Sequence, residues 1–270
     1  MSKNTHEPYI PELGIEYPAN PDEHMGPVRY EVELVLNEQY PFLDRSLGFR
    51  IKSALLYFGI FTLVFVIAPI RFGLKIEGRR YLKQYRSLLR NGAMTVSNHM
   101  LRWDLLCVLQ AIRFRRLYFP AWKENLSGPD RGVIRLAGGI PVPTDIHSMK
   151  HFNQAFEDLH ARKKWIHVFP ESSNWFYYQP IRPFKKGMFT LAYKFNIPVI
   201  PLAFSYRKPT GLYRLFKKNY PLITLRMGAP LLPDITLPRK EAVNLLREEC
   251  HRKIVELAGI TNNPYPAEGD

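Results

Sequence analysis

Two cysteines, Cys107 and Cys250, in a chain of 270 residues are too few for a disulfide framework. They suit a reducing compartment, where such residues pack as small hydrophobes. The sequence has no Gly-rich phosphate loop, no dinucleotide fingerprint and no Gly-x-Ser-x-Gly elbow, so the common nucleotide-binding frames and the serine-hydrolase turn are excluded. It also has no helix-turn-helix, zinc-finger or RNA-recognition signature, and a nucleic-acid partner is not expected. Metal-ligand spacing is thin. His147 and His151 sit four apart on a predicted helix over 147–161, without the glutamate of the helical zinc motif and without an evident third ligand. They read as solvated helix histidines; no metal and no bound cofactor are expected. Internal repeats and low-complexity tracts are missing as well.

Acidic residues are scarce over most of the chain. Residues 1–50 hold four Lys/Arg against nine Asp/Glu, a net of −5, whereas the remainder holds thirty-four against fifteen, a net of +19. A body this basic is drawn to anionic lipid surfaces and to phosphate-bearing or acidic partners. The clusters are Arg113–Arg116 around Phe114, Lys163-Lys164, Lys185-Lys186 and Lys217-Lys218, any one of which alone reads as a solvated face.

Charge disappears altogether between Ser53 and Ile70, eighteen residues in a row. As a helix this run would extend about 27 Å, just short of a ~30 Å hydrocarbon core. No cleavage-site pattern follows it. Arg50 and Lys52 precede it and Arg71 and Lys75 follow it, a symmetry that defeats the orientation rule. The reading is a membrane-associating helix, embedded in one leaflet or barely spanning; a buried core helix is the alternative. Ahead of it, Pro8, Pro11, Pro18, Pro21 and Pro27 predict an extended, acidic leader. The expected organisation is a leader over 1–45, the helix over 46–74, a globular domain over 75–260 and a tail over 261–270.

Within that domain, short apolar runs alternate with helical stretches. Predicted elements cover 93–97, 104–112, 116–120, 131–137, 140–142, 147–161, 165–169, 187–195, 198–204 and 222–228. A last helix follows Pro238 and runs to about Leu257, before Gly259. The alternation predicts an α/β fold, a sheet flanked by helices, and short connections make the sheet mixed.

Chemistry concentrates at Asn98-His99-Met100-Leu101-Arg102-Trp103-Asp104, directly after the strand-like run ending at Ser97. A histidine accepts a proton from an alcohol near neutral pH, and a carboxylate on its far nitrogen sets the tautomer. Such a pair needs no protein nucleophile when the hydroxyl belongs to a substrate. The simpler alternative is that His99 ends a strand and Asp104 caps a helix. A second run, Trp165–Phe169, ends in Pro170-Glu171-Ser172-Ser173-Asn174. Loops after strand carboxyl ends share one sheet edge, and His99 and Glu171 both hold that position after their strands.

Taken in order, Asn98-His99-x4-Asp104, Lys123-Glu124-Asn125-Leu126, Gly139-Ile140-Pro141-Val142, Phe169-Pro170-Glu171, Lys185-Lys186-Gly187 and Pro198-Val199-Ile200-Pro201 resemble the blocks of the glycerolipid acyltransferases. That family includes lysophosphatidate and glycerol-3-phosphate acyltransferases, and the resemblance covers roughly 75–230. It implies the glycerolipid acyltransferase fold, with His99 as general base, Asp104 orienting it, and no covalent acyl-enzyme. It further implies that Lys123 and nearby amides stabilise the thioester oxygen, and that Glu171 and Ser172 help shape the acceptor pocket. The co-substrate would be acyl-CoA or an acyl carrier protein thioester, the acceptor lysophosphatidic acid, and the site of action the cytoplasmic face of a membrane.

Two departures bear on the acceptor. The family's phosphate-holding arginines fall on Thr144 and Asn174 here, and Ser172 replaces a glycine. Arg182, Lys185 and Lys186 are the substitutes available for a phosphate, the lysines with a less selective grip than a guanidinium fork. Another lysolipid, a non-phosphate acceptor, or a catalytically silent membrane-surface protein remain as alternatives.

Overall fold

A computed structural model describes residues 8–25, 32–217 and 220–267. Pro27 of the leader, Lys218 of the last basic cluster and the end of the tail lie outside the described residues. The apolar run forms one helical rod: α1 (Leu47–Gly59), a π-helical turn (Ile60–Val64) and α2 (Phe65–Phe72). There follow β1 (Lys75–Glu77), α3 (Arg80–Gln84), β2 (Met94–Ser97), α4 (Asp104–Ile112), β3 (Leu117–Ala121), α5 (Arg131–Leu136) and β4 (Gly139–Pro141). The chain continues through α6 (Ile146–Ala161), β5 (Trp165–Val168), α7 (Gly187–Phe195), β6 (Val199–Arg207), α8 (Leu212–Lys217), β7 (Leu222–Met227) and α9 (Arg239–Ala258).

The seven strands form one sheet in the order β1-β7-β6-β2-β5-β3-β4, parallel throughout except for the antiparallel β6–β7 pair. A mixed sheet was the expectation, and the short connection through α8 is what lets β7 run back along β6. The central strands β2 and β5 are buried at every position, as strands covered on both faces must be. Alternation along β6 builds the two cores. Val199 and Ala203 join Val96, Ile166 and the inner faces of α6, α7 and α9, while Ile200, Leu202 and Phe204 join Leu225, α4 and the apolar rod.

The rod spans 26 residues, about 39 Å at 1.5 Å per residue. One stripe docks on the domain: Ser53, Tyr57, Ile60 and Ala68 are buried. Ser53 Oγ donates to Leu136 O (2.5 Å) and the Tyr57 hydroxyl to Ala137 O (2.7 Å). Pro69 has no N–H to give the carbonyl four residues back, and the side-chain amide of Gln110 donates to that carbonyl, Phe65 O, at 3.3 Å. The opposite face is bare, with Leu55, Phe58, Leu63, Val66, Ile67 and Ile70 all exposed. Only 22% of the most apolar window is buried, so the alternative of a core helix is not what the structure holds.

Candidate active site

Strands β2 and β5 are parallel neighbours, so the loops that follow them leave the sheet on one edge. His99 stands two residues after β2 and Glu171 three after β5. His99 Nδ1 lies 2.9 Å from Asp104 Oδ2. That oxygen also accepts from the backbone N–H of Met100 (2.7 Å) and Leu101 (3.0 Å). An acceptor-only carboxylate on this side assigns the imidazole proton to Nδ1 and leaves Nε2 as the free base. Asp104 is fully buried; burial pushes its pKa up, while His99 and the two amides pull it back.

Glu171 is the second organising carboxylate. It accepts from the backbone N–H of His99 (2.9 Å) and of Arg182 (2.9 Å), and its ion pair with Arg182 Nη2 spans 3.3 Å. Burial raises its pKa and the Arg182 charge opposes that rise. Arg182 itself is 1% exposed. It also donates to Pro21 O (2.9 Å) and Ser173 Oγ (2.6 Å), and its guanidinium lies 4.4 Å from the centroid of the Trp175 ring. Trp175 N in turn donates to His99 O (3.3 Å) and Tyr177 N to Met100 O (3.0 Å). The two loops are thus laced together around the His99–Asp104 pair, and the ring of His99 stacks on Phe169 at 3.9 Å.

Behind that stack, His167 on β5 is enclosed, with Nδ1 2.9 Å from Thr95 Oγ1. Burial, with a smaller contribution from His99, pushes its pKa down to about 3 from 6.5. The unfolded chain therefore binds the extra proton between those values, and folding stability is complete above about pH 6.5 and declines as pH falls towards 3. At pH 5 the loss is about 2 kcal/mol. Denaturant titrations between pH 5 and 8 should show that slope in the native protein and a flatter one in His167→Gln.

A cleft of about 580 Å³ opens onto His99, walled by Trp103, Trp122, Glu124, Ser172, Asn174 and Phe176 among others. The leader contributes His24, stacked on Trp122 at 3.6 Å, and Met25. It is held there by Glu23 O, which accepts from Trp175 Nε1 (2.9 Å), and by Tyr17, whose hydroxyl donates to Phe176 O (2.8 Å). Two remote loops, after β3 and β5, are what fix the leader over the body at this place. Arg102, unremarked in the sequence, is the lining residue with a permanent positive charge; it pairs with Asp130 at the cleft mouth.

The residues named from sequence for acceptor and thioester binding fall in different places. Ser172 lines the cleft with φ 65°, the left-handed conformation a glycine takes freely and a serine adopts only under strain. Asn174 lines it too, whereas Thr144 opens elsewhere, beside α6. Lys123 is half-buried and outside the lining, although Trp122, Glu124 and Asn125 on either side belong to it. Arg182 is corrected from acceptor ligand to internal brace, since its enclosure leaves no face for an incoming phosphate. Lys185 pairs with Asp22 of the leader at 2.6 Å, and Lys186 sits at the start of α7; neither lines the cleft. His147 and His151 gain the third ligand the sequence did not offer: Glu38 Oε1 is 2.5 Å from His147 Nε2, and ligand atoms of all three lie within 4.8 Å of one another. These three are residues able to hold a metal ion, on the surface and outside the cleft.

The site is a His–Asp pair at the carboxyl edge of the central strands of a mixed sheet, open to a cleft, an arrangement able to take a proton from a group that a substrate brings. Residues 73–205 match the family model described as Acyltransferase, and this region belongs to that family; the protein is an acyltransferase. No curated protein matches the chain significantly. Among solved structures, the 1-acyl-sn-glycerophosphate (LPA) acyltransferase PlsC from Thermotoga maritima is similar, at 21% identity and a TM-score of 0.51. The likeness covers 80% of this chain and 85% of that one, and it shows a shared fold.

Proposed function

We propose that the protein transfers a fatty acyl group from a coenzyme A or acyl-carrier-protein thioester to the hydroxyl of lysophosphatidic acid, a step of phospholipid synthesis, at the cytoplasmic face of a membrane. The observation that carries this reading is the 2.9 Å His99–Asp104 contact at the floor of an open cleft. His99 Nε2 takes the acceptor's hydroxyl proton as the oxygen attacks the thioester carbonyl; the C–S bond then breaks and the leaving thiolate takes that proton back. General-base help of this kind is worth about 10²–10⁴ in rate. Asp104 stabilises the imidazolium formed on the way. Further support comes from an apolar groove of about 850 Å³ that shares Arg102, Trp103 and Phe176 with the cleft, a place for an acyl chain beside the reacting carbonyl. Arg102, at their junction, is the cation best placed to meet the acceptor's phosphate.

Membrane association is supported by the bare apolar face of α1 and α2, docked side-on against a basic domain. Such docking fits a helix lying within one leaflet better than one crossing alone. The buried free thiols of Cys107 and Cys250 are compatible with the reducing, cytoplasmic side. A second acceptor reading, another lysolipid or one without a phosphate, is favoured by the neutral Ser172-Ser173-Asn174 wall of the cleft. Labelled acyl thioester with a panel of lysolipids separates them. Turnover with lysophosphatidic acid, reduced in Arg102→Ala, supports the first reading. Turnover confined to acceptors lacking a phosphate replaces it with the second, and no turnover by folded protein with any acceptor and either donor overturns both.

A further inference from the structure

The connection between β6 and β7 carries an exposed apolar stripe, part of which borders the groove offered above to an acyl chain. After Gly211, α8 presents Leu212, Leu215 and Phe216 to solvent, 73%, 74% and 81% exposed. Their spacing of three and four places them on one stripe of the helix. Bare apolar side chains of this size, side by side, mark a surface that is covered when the protein works. α8 is not a loose appendage: the Tyr213 hydroxyl donates to Pro69 O in α2 at 3.3 Å. Leu212 and Phe216 line one groove with Ile70 and Phe72, so the stripe continues the exposed face of α2, where Leu63, Val66, Ile67 and Ile70 are bare. The sequence around the stripe, from Arg207 to Pro221, contains Arg207, Lys208, Arg214, Lys217 and Lys218 and no acidic residue. Of these, Arg214 is exposed beside the stripe, and Arg207 is engaged with Thr224 of β7 at 2.8 Å.

We propose that α8 is a second membrane-contact element, inserting Leu212, Leu215 and Phe216 among the headgroups and upper acyl chains of an anionic bilayer while the surrounding lysines and arginines meet lipid phosphates. An exposed apolar stripe with cations and no acidic residue in the sequence around it is what an interfacial helix requires. The inference rests on the membrane association proposed above. Its consequence is orientation: two contacts, the rod and α8, set the mouth of the groove between them against the lipid surface, so a lipid reaches the His99 cleft without crossing water.

The test uses the full chain and vesicles of phosphatidylcholine with one quarter phosphatidylglycerol. An environment-sensitive fluorophore is attached at Leu215→Cys, at Ile67→Cys in α2, and at Ile146→Cys, a remote exposed position; both native cysteines are buried. Blue shifts and quenching by lipid-borne quenchers at 215 and 67, but not at 146, are expected. Leu215→Ser/Phe216→Ser should lower vesicle partitioning by about tenfold or more with an unchanged melting temperature. A response at 67 with none at 215 overturns the assignment of α8 and leaves membrane association standing. Silence at both overturns the two together. A 215 signal already shifted without lipid, and rising with protein concentration, marks contact between copies and also overturns the proposal.

Discussion

His99→Ala is expected to lower turnover by about 10²–10⁴-fold, the range in which a positioned general base contributes, while thermal unfolding stays where it is. The second half of that expectation follows from the surroundings. The His99 side chain is 22% exposed, and the bonds that lace its loop run through backbone groups: its own N–H to Glu171 and its carbonyl to Trp175. Those survive truncation at Cβ. Asp104→Asn should be nearly as damaging to turnover but costlier to the fold. Asp104 Oδ2 receives all three donors, at 2.7–3.0 Å; an amide oxygen in its place is neutral and no longer stabilises the imidazolium, and the amide NH2 replaces Oδ1, which is buried with no acceptor beside it. Steady-state kinetics on both variants, beside their melting curves, separates lost chemistry from lost structure. A His99→Ala variant with full activity would remove His99 from the mechanism.

The largest effect on stability is expected from Arg182→Leu, a loss of about 3–5 kcal/mol in denaturant-induced unfolding. The change leaves Glu171 charged, 3% exposed and without its ion-pair partner. It also removes the donors to Pro21 O and Ser173 Oγ and the stacking over Trp175. Glu171→Gln should cost less, because it leaves no buried carboxylate, although its one amide oxygen can accept from the backbone N–H of His99 or of Arg182 but not of both. Arg182→Leu combined with Glu171→Gln should recover part of the single-mutant loss, since no uncompensated carboxylate remains. If Arg182 were instead an acceptor ligand, the single variant would keep its stability and lose substrate affinity alone. Leader contacts converge on this guanidinium, so the unstable variant should also expose the segment around Pro21 to protease.

Much of the frame is legible in the residues themselves. The alternation in β6, the uninterrupted apolar stretch of the rod, and the Pro238 and Gly259 boundaries of α9 are local patterns, and local backbone preference decides them. The His99–Asp104 pair is legible for the same reason: five residues and one turn bring the two groups together. Glu171 is half legible, since an α/β sheet puts post-strand loops on one edge without saying which strands are neighbours. α8 escapes the sequence reading because six residues flanked by basic and turn-forming ones carry too little periodicity to stand out.

What the sequence by itself determined is therefore the alternating fold, the charge imbalance, the apolar helix and the His99–Asp104 pair. Tertiary structure alone decided the rest. Arg182 became a brace because Glu171, Ser173, Trp175 and a leader about 160 residues away close around it. Lys185 became a tether for the same leader. Arg102, His24 and Trp122 became cleft walls, and Glu38 joined two helix histidines. The physical reason is one of range: dihedral preference and amphipathic period act over a few residues, whereas burial and the pairing of buried charge depend on neighbours that only the folded chain brings together.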